Sequence, residues 1–397
     1  MMKVITRAVW ILSLVSLFTD TASEMLYPIM PLYLKSIGFS IVLIGILEGV
    51  AEATAGLSKG YFGKLSDSTG RRMPFVQWGY ALSALSKPLM AFFVAPVWVF
   101  FVRTFDRIGK GLRTGARDAV LSDESTTATK GKVFGFHRSM DTLGAVLGPL
   151  FALLYLQWHP EDYKTLFFIA FIPGVIAVIC SLLLKDKKVI LKSDKPKVAF
   201  FSFLGYWKQS PVLYKKLVAG LLVFTLFNSS DIFLLLKAKQ AGLDDTNIIT
   251  IYIFYNLVYA VFAFPLGILA DKIGLKKIFI TGLFIFTIVY AGMAYADLPI
   301  YFYGLFFLYG IYAAATEGIS KAWISNISAK ENTATAIGTY SAFQSICTML
   351  ASSLAGIIWF AYGSKITFLL SAAMAFTVVI YIAFFVKEKV AVTNIAQ

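Results

Sequence analysis

The sequence predicts an all-α polytopic membrane protein, and three observations carry that reading. Of 397 residues, 58% are hydrophobic and only 15% are charged, whereas a soluble domain carries about 25% charged residues. So few charges cannot cover a water-facing surface. Apolar runs about 20 residues long recur along the chain, the length a helix needs to cross a bilayer. Nothing shows the alternation, in segments of about 10 residues, that marks a membrane barrel.

Twelve spans follow in order. The first, 8–34, is long, and Pro28 and Pro31 near its end predict a bend. Lys3 and Arg7 before an apolar run resemble a signal peptide, but the run meets Asp20 and Glu24, continues apolar and lacks a small-residue cleavage site. It is read as a retained helix. The next five are 40–62, 74–94, 97–121, 132–157 and 165–184. A polar segment, the longest in the chain, separates them from 214–236, 246–268, 277–296, 299–324, 334–361 and 365–386. The division is therefore a bundle at 1–184, a basic linker at 185–213 and a second bundle at 214–397. Within the linker, "VAFFSFLGYW" is amphipathic enough to lie along a membrane surface.

With the N-terminus inside, the inner loops and tails collect 22 Lys and Arg, nine of them between Lys185 and Lys216, and the outer loops about five. This bias predicts a multi-pass protein of the cell (inner or plasma) membrane with both termini cytoplasmic. It also accounts for the net charge of +14 through a basic inner face against anionic headgroups, without nucleic acid. Cys180 and Cys347 lie within spans and serve as small apolar filler. With His137 and His159 as the only histidines, no histidine-rich metal site is expected. His137 is read as an ordinary interfacial residue.

The chain repeats itself. "GKLSDSTGRR" at Gly63–Arg72 and "GILADKIGLKK" at Gly267–Lys277 place Gly63 and Gly267, Asp67 and Asp271, and Gly70 and Gly274 each 204 residues apart. The offset joins the end of the second span to the end of the eighth. Two parallel six-helix halves about an axis along the membrane normal belong to a large transporter architecture. The first turn resembles the Gly-x-Leu-x-Asp-x-x-Gly-Arg-Arg/Lys signature of the major facilitator superfamily, and the second is a weaker copy. Arg107-Ile108-Gly109-Lys110-Gly111 resembles the family's Arg-x-x-Gln-Gly motif, with Lys110 in place of Gln. Gly144 to Pro149 approximates its Gly-Pro motif, without the downstream glycine pair. The resemblance covers essentially the whole chain and implies the superfamily fold, two pseudo-symmetric six-helix bundles. It implies a gating role for Gly63, Asp67, Gly70, Arg71, Asp271 and Gly274. The aspartates accept hydrogen bonds from neighbouring helix N-termini or pair with a cation, and glycine serves the bend. For the arginines, ordinary positive-inside charge is an equal reading. Arg107 resembles a proton-coupling arginine; it is also read as an anchor of the inner gate with Asp67.

Ionisable groups at bilayer depth cost about 2.5–3.5 kcal/mol each and mark function. Here they come in pairs at helical spacing: Asp20 with Glu24, Glu48 with Glu52, Arg113 with Arg117, Arg138 with Asp141, and Glu317 with Lys321. Arg113 and Glu317, like Arg117 and Lys321, are again 204 residues apart. The resemblance implies that spans one, four, seven and ten face a central cavity, which adds Asp231 and its neighbours Asn228 to Ser230. Asp20, Glu24, Arg113, Arg117, Arg138, Asp141, Asp231, Glu317 and Lys321 are the candidate substrate- and proton-binding residues. The bland reading is that they are buried salt bridges, such as Glu24 with Arg113 or Arg138 with Asp141, but desolvation makes such pairs poor stabilisers. For Glu48, Glu52 and Asp106 the two readings weigh equally.

No phosphate loop, metal-ligand cluster or nucleophile with a nearby base stands out, so neither an enzyme nor a cofactor is expected and the energy source is a proton gradient. Burial and a nearby cation move a carboxyl pKa in opposite directions, which suits a group that takes and releases protons. Guanidinium suits carboxylate or phosphate, and carboxylates suit an amine. The expectation is alternating-access transport of a small anionic or zwitterionic metabolite or drug, by proton-coupled export, in a monomer. Proton-linked uptake of a nutrient is the alternative within the class. A non-transporting receptor or lipid-handling protein on the same scaffold is the alternative outside it.

Overall fold

The computed structural model describes residues 4–27, 29–186 and 198–386. Within them the chain forms fourteen α-helices and two short 3-10 turns. In order the helices are α1 (Arg7–Leu26), α2 (Met30–Ser36), α3 (Ile41–Thr69), α4 (Met73–Phe92), α5 (Pro96–Asp123), α6 (Lys130–Trp158) and α7 (Tyr163–Leu182). After the linker come α8 (Gly205–Gln209), α9 (Val212–Phe227), α10 (Asp231–Gln240), α11 (Asp245–Ile273), α12 (Leu275–Tyr295), α13 (Pro299–Ile327) and α14 (Thr333–Phe385). Among the described residues eight stretches are helical, long and apolar enough to cross a membrane, with α9 and α10 taken together and α14 taken whole. Apolar side chains face outward without cover, Phe360 at 94% exposure and Val97 at 82%, as a bilayer-facing surface requires.

Two expected spans are broken, the first of them near the bend expected there. The first parts between Leu26 and Met30, and α2 restarts with a proline in its first turn. The span expected at 214–236 parts at Asn228–Ser230, where the Ser230 hydroxyl accepts from the Ile232 amide to open α10. Short polar side chains offer the backbone this exit from a helix. The last two spans, together α14, are two helices that meet at Gly363, between the expected bounds 361 and 365, where a φ of 84° is left-handed.

The repeated turns are also shorter than the sequence suggested. Residues 63–69 are the last two turns of α3, and Gly70 ends the helix in the left-handed region at φ 62°. Its mate Gly274 ends α11 at φ 110°. Neither Gly63 in α3 nor Pro265 and Gly267 in α11 stops its helix, which runs on past the apolar segment. The face carrying these two turns is called the turn face.

Close approaches between the N- and C-terminal halves lie toward the turn face. There α3 meets α14, and α6 meets α11. A Cβ on Gly63 would stand 2.5 Å from the Ala334 carbonyl oxygen, and one on the mate Gly267 would stand 2.3 Å from that of Gly131. Farther along, Lys59 donates to Ser345 at 3.1 Å and Ser139 donates to the Ala260 carbonyl. Beyond this depth a cavity occupies the space between the halves.

The described part of the linker packs across the α3–α14 seam. Phe203 is fully buried with its ring against Gly60 of α3. Thr339 of α14 donates to the Phe203 carbonyl, and Lys64 of α3 donates to the Ser202 carbonyl at 2.7 Å. Phe200 and Phe201 point outward.

Candidate functional site

Two matching contacts close the turn face. Asp67, near the end of α3, accepts from the Thr335 amide at 2.6 Å and its hydroxyl at 2.7 Å, in the first turn of α14. Asp271, near the end of α11, accepts from the Gly131 and Lys132 amides, both at 2.7 Å, in the first turn of α6. The donors Gly131 and Thr335 are themselves 204 residues apart. Each carboxylate thus caps a helix of the opposite half, where unpaired N–H groups and the helix dipole favour negative charge. The arginine at this latch is Arg72 rather than Arg71. Arg72 pairs with Asp67 at 2.9 Å and with Asp123 at 3.0 Å, while Arg71 is exposed. The left-handed Gly70 turns the chain so that Arg72, at the start of α4, faces α3 and α5.

Deeper, an ion-pair belt crosses the halves. Asp118 of α5, only 1% exposed, pairs with Arg117 at 2.9 Å and with Lys321 of α13 at 2.8 Å. Arg138 of α6 pairs with Asp141 at 2.7 Å and with Glu317 of α13 at 3.4 Å. Ser16 of α1 donates to Asp141, and Arg138 donates to the Tyr259 hydroxyl. Three carboxylates therefore balance three cations. The repeat mates Arg117 and Lys321 converge on one carboxylate, Asp118. Arg113 instead lies 4.7 Å over the Tyr80 ring and donates to Ser83; the expected pairing with Glu24 is not the one seen.

Above the belt the cavity has two adjoining lobes, of about 350 and 960 Å³. The smaller is lined by Asp20 and Glu24 of α1, by Arg103, Arg107, Lys110, Arg113 and Arg117 of α5, and by Arg138, Asp141, Glu317 and Lys321. Spacings of three and four place the five α5 cations along one face. Across from them stand Tyr252, Tyr255 and Tyr259 of α11. The larger lobe shares Glu24, Arg107, Lys110, Tyr252 and Glu317 with the smaller, then extends past Asn228 and Asp231 to Leu153, Leu156, Ile248 and Ile249. Asp231, at the start of α10, accepts from the Tyr309 hydroxyl at 2.6 Å and the Tyr255 hydroxyl at 2.5 Å.

The cavity thus gathers every candidate binding residue named from the sequence. Several assignments change. Arg107 lines the cavity and is not at the latch; with about 1.5 Å of rise per residue, some 24 Å of α5 separates it from the Asp123 end. Asp106 accepts from Lys87 of α4 at 3.1 Å and from Ser86, so a structural pairing accompanies its place in the lining. Glu52 lines the larger lobe; the Glu48 side chain lies outside the described residues. His137 is no interfacial residue: it is 4% exposed, with Nε2 unpartnered, in the field of Arg117, Asp118, Asp141 and Lys321. It sits two turns into α6, beneath α13.

Sequence reasoning missed Arg103, Lys59 and the α11 tyrosines as cavity residues. The 252, 255, 259 spacing of Tyr was the available signal, one face of a helix otherwise rich in apolar residues.

Comparison with known proteins agrees with this architecture. Residues 12–252 and 232–396 match the sequence profile of the Major Facilitator Superfamily. An uncharacterized MFS-type transporter of Methanocaldococcus jannaschii is 32% identical over 377 residues, covering 94% of this chain and 93% of that protein. Citrate exporter 1 of Aspergillus niger is 25% identical over 187 residues, covering 45% of this chain and 33% of the exporter. Among solved structures, the human organic anion transporter MFSD10 superposes with a TM-score of 0.78 at 14% identity, covering 94% of this chain and 98% of that one; at that identity the likeness is one of fold. A profile match along nearly the whole length, a full-length relative and the shared fold agree: the chain belongs to the major facilitator superfamily.

Proposed function

We propose that this transporter moves a small organic anion across the cell membrane by alternating access, with proton-coupled export as its direction and coupling. One observation carries the reading: a single cavity between the halves has five cations of α5 along one wall. Arginine and lysine in a low-dielectric pocket favour carboxylate and phosphate. The name of the partial relative from Aspergillus niger, a citrate exporter, is in keeping with an anion and with export.

In the proposed cycle the anion sits against Arg107, Lys110 and Arg113. A proton occupies Glu24 or Asp20, one turn apart on α1 and lining the same lobe. The anion and these carboxylates contend for the same cations, so loading of the anion and protonation of Glu24 or Asp20 are linked, and flux under a pH gradient reads the sense of that linkage. The turn face, closed in this structure by Asp67 and Asp271, is taken as cytoplasmic because Arg71, Arg72, Lys272 and Lys276 flank its two turns. With the turn face read as cytoplasmic, the closed latch and the cavity on its far side are in keeping with the outward-facing member of the cycle.

The experiment is flux in proteoliposomes of the full chain under an imposed pH gradient, across citrate, malate, phosphate and a monocarboxylate. Anion movement against the proton gradient supports antiport, and movement with it assigns symport. No gradient-driven movement of any anion sinks the proposal and leaves a receptor role on the same scaffold.

A further inference from the structure

The two lobes are unlike in chemistry, and a compact polar anion uses only one of them. The smaller lobe is dominated by charge. The larger, nearly three times its volume, continues from Lys110 and Arg107 onto a wall built by Leu153 and Leu156 of α6 and by Ile248 and Ile249 of α11. Between them Tyr252 belongs to both lobes and offers a ring edge to an apolar body beside a hydroxyl for a head group. About 960 Å³ lies at the upper end of pockets that enclose drug-sized ligands, and a small dicarboxylate would leave most of it to water.

Resting on the anion reading above, we infer that the substrate is an amphiphilic anion. Its carboxylate or phosphate head sits against Lys110 and Arg107, and a hydrocarbon body lies along the Leu153–Ile248 wall. The lobes meet at the shared residues, so head and body occupy one continuous space. Lys110 is exposed into this space and needs no rearrangement to meet a head group. The apolar wall excludes a second charged group at the far end, which separates this class from polycarboxylates.

The test is equilibrium binding of butanoate, hexanoate, octanoate and decanoate to the full chain in nanodiscs, with empty nanodiscs subtracting uptake by lipid. Affinity is expected to rise about fourfold per added methylene, about 0.8 kcal/mol each. Lys110→Gln is expected to weaken all four equally, and Leu156→Ser to flatten the dependence on length. Equal affinity for butanoate and decanoate overturns the inference: the apolar wall then serves only closure between the halves, and transport of polar anions stands. Octyltrimethylammonium binding as tightly as octanoate overturns the inference and the anion reading together. Absence of binding by all four, with citrate flux intact, overturns the inference alone.

Discussion

Replacing the two capping aspartates should open the turn face, and by a calculable amount. Asp67→Asn keeps one oxygen for the two Thr335 donors but brings an amide NH₂ against Arg72. Hydrogen bonds to charged groups contribute about 1.5–3 kcal/mol, against about 0.5–1.5 for neutral pairs. Losing the charge therefore costs about 1 kcal/mol for each of the two Thr335 bonds, about 2 kcal/mol in all; the Arg72 bond lies within one half and is lost alike in the open and closed states. At 1.36 kcal/mol per decade, the open-to-closed ratio of this face rises about 30-fold. Asp271→Asn meets two backbone donors with one oxygen and no arginine, which amounts to about 2 kcal/mol, or about 30-fold. The readout is the distance between spin labels at Ala128→Cys and Ala329→Cys, in a background with Cys180 and Cys347 changed to Ser. These positions flank the Lys130–Ser325 and Asn326–Thr127 bonds across the seam. A longer-distance population should appear in each variant and grow in the double variant. Folded variants with an unchanged distance distribution would refute the latch.

Three further outcomes test other parts of the structure. Glu24→Gln should abolish pH-driven anion flux in proteoliposomes while leaving the chromatographic profile intact; undiminished coupled flux removes Glu24 from the mechanism. Asp118→Asn leaves Arg117 and Lys321 without their shared carboxylate and should cost about 3–5 kcal/mol in thermal unfolding, and an unaltered transition would show that the belt is not a paired unit. Phe203→Ala should loosen the 198–209 segment by about 3–5 kcal/mol, the range for truncating a buried Phe, read as faster amide exchange confined to that segment. Exchange unchanged there would mean that Phe203 does not hold the linker to the seam.

The scaffold was legible because its signals are local or periodic. Span length, the 204-residue repeat and the basic bias can each be read without knowing what touches what. The acceptors of the latch were also legible, through the resemblance of the two repeated turns to the family signature. Its donors were not: Thr335 and Gly131 are ordinary first-turn residues, and only the packing of α3 on α14 and α6 on α11 brings them near. Arg72 and Arg71 are indistinguishable as letters, and the left-handed Gly70 decides between them. The break at Asn228–Ser230 was hidden because apolar runs on either side add up to one span's length. Lys59, Lys87 and Arg103 went unweighed as isolated cations in apolar sequence. Their spacing says nothing until the neighbouring helix supplies Ser345 or Asp106.

The belt supplies what the proposed cycle needs for coupling. Glu317–Arg138 and Lys321–Asp118 both run from α13 to the other half, so parting the halves at this depth breaks both. Breaking Lys321–Asp118 leaves Lys321 without its carboxylate, which opposes opening while the cavity is empty; Asp118 keeps Arg117, and the part-exposed Glu317–Arg138 pair contributes less. In the proposed cycle an anion that moves from Arg107 and Lys110 to Lys321, which lines the same lobe, replaces the partner that is lost. A ligand shifts a conformational equilibrium only by its differential affinity for the two states, and one that touched the walls alone would bind both alike. In that proposed cycle the belt's charges are satisfied by protein when the face is closed and by the anion when it is open, so loading the cavity and releasing the turn face draw on the same few residues.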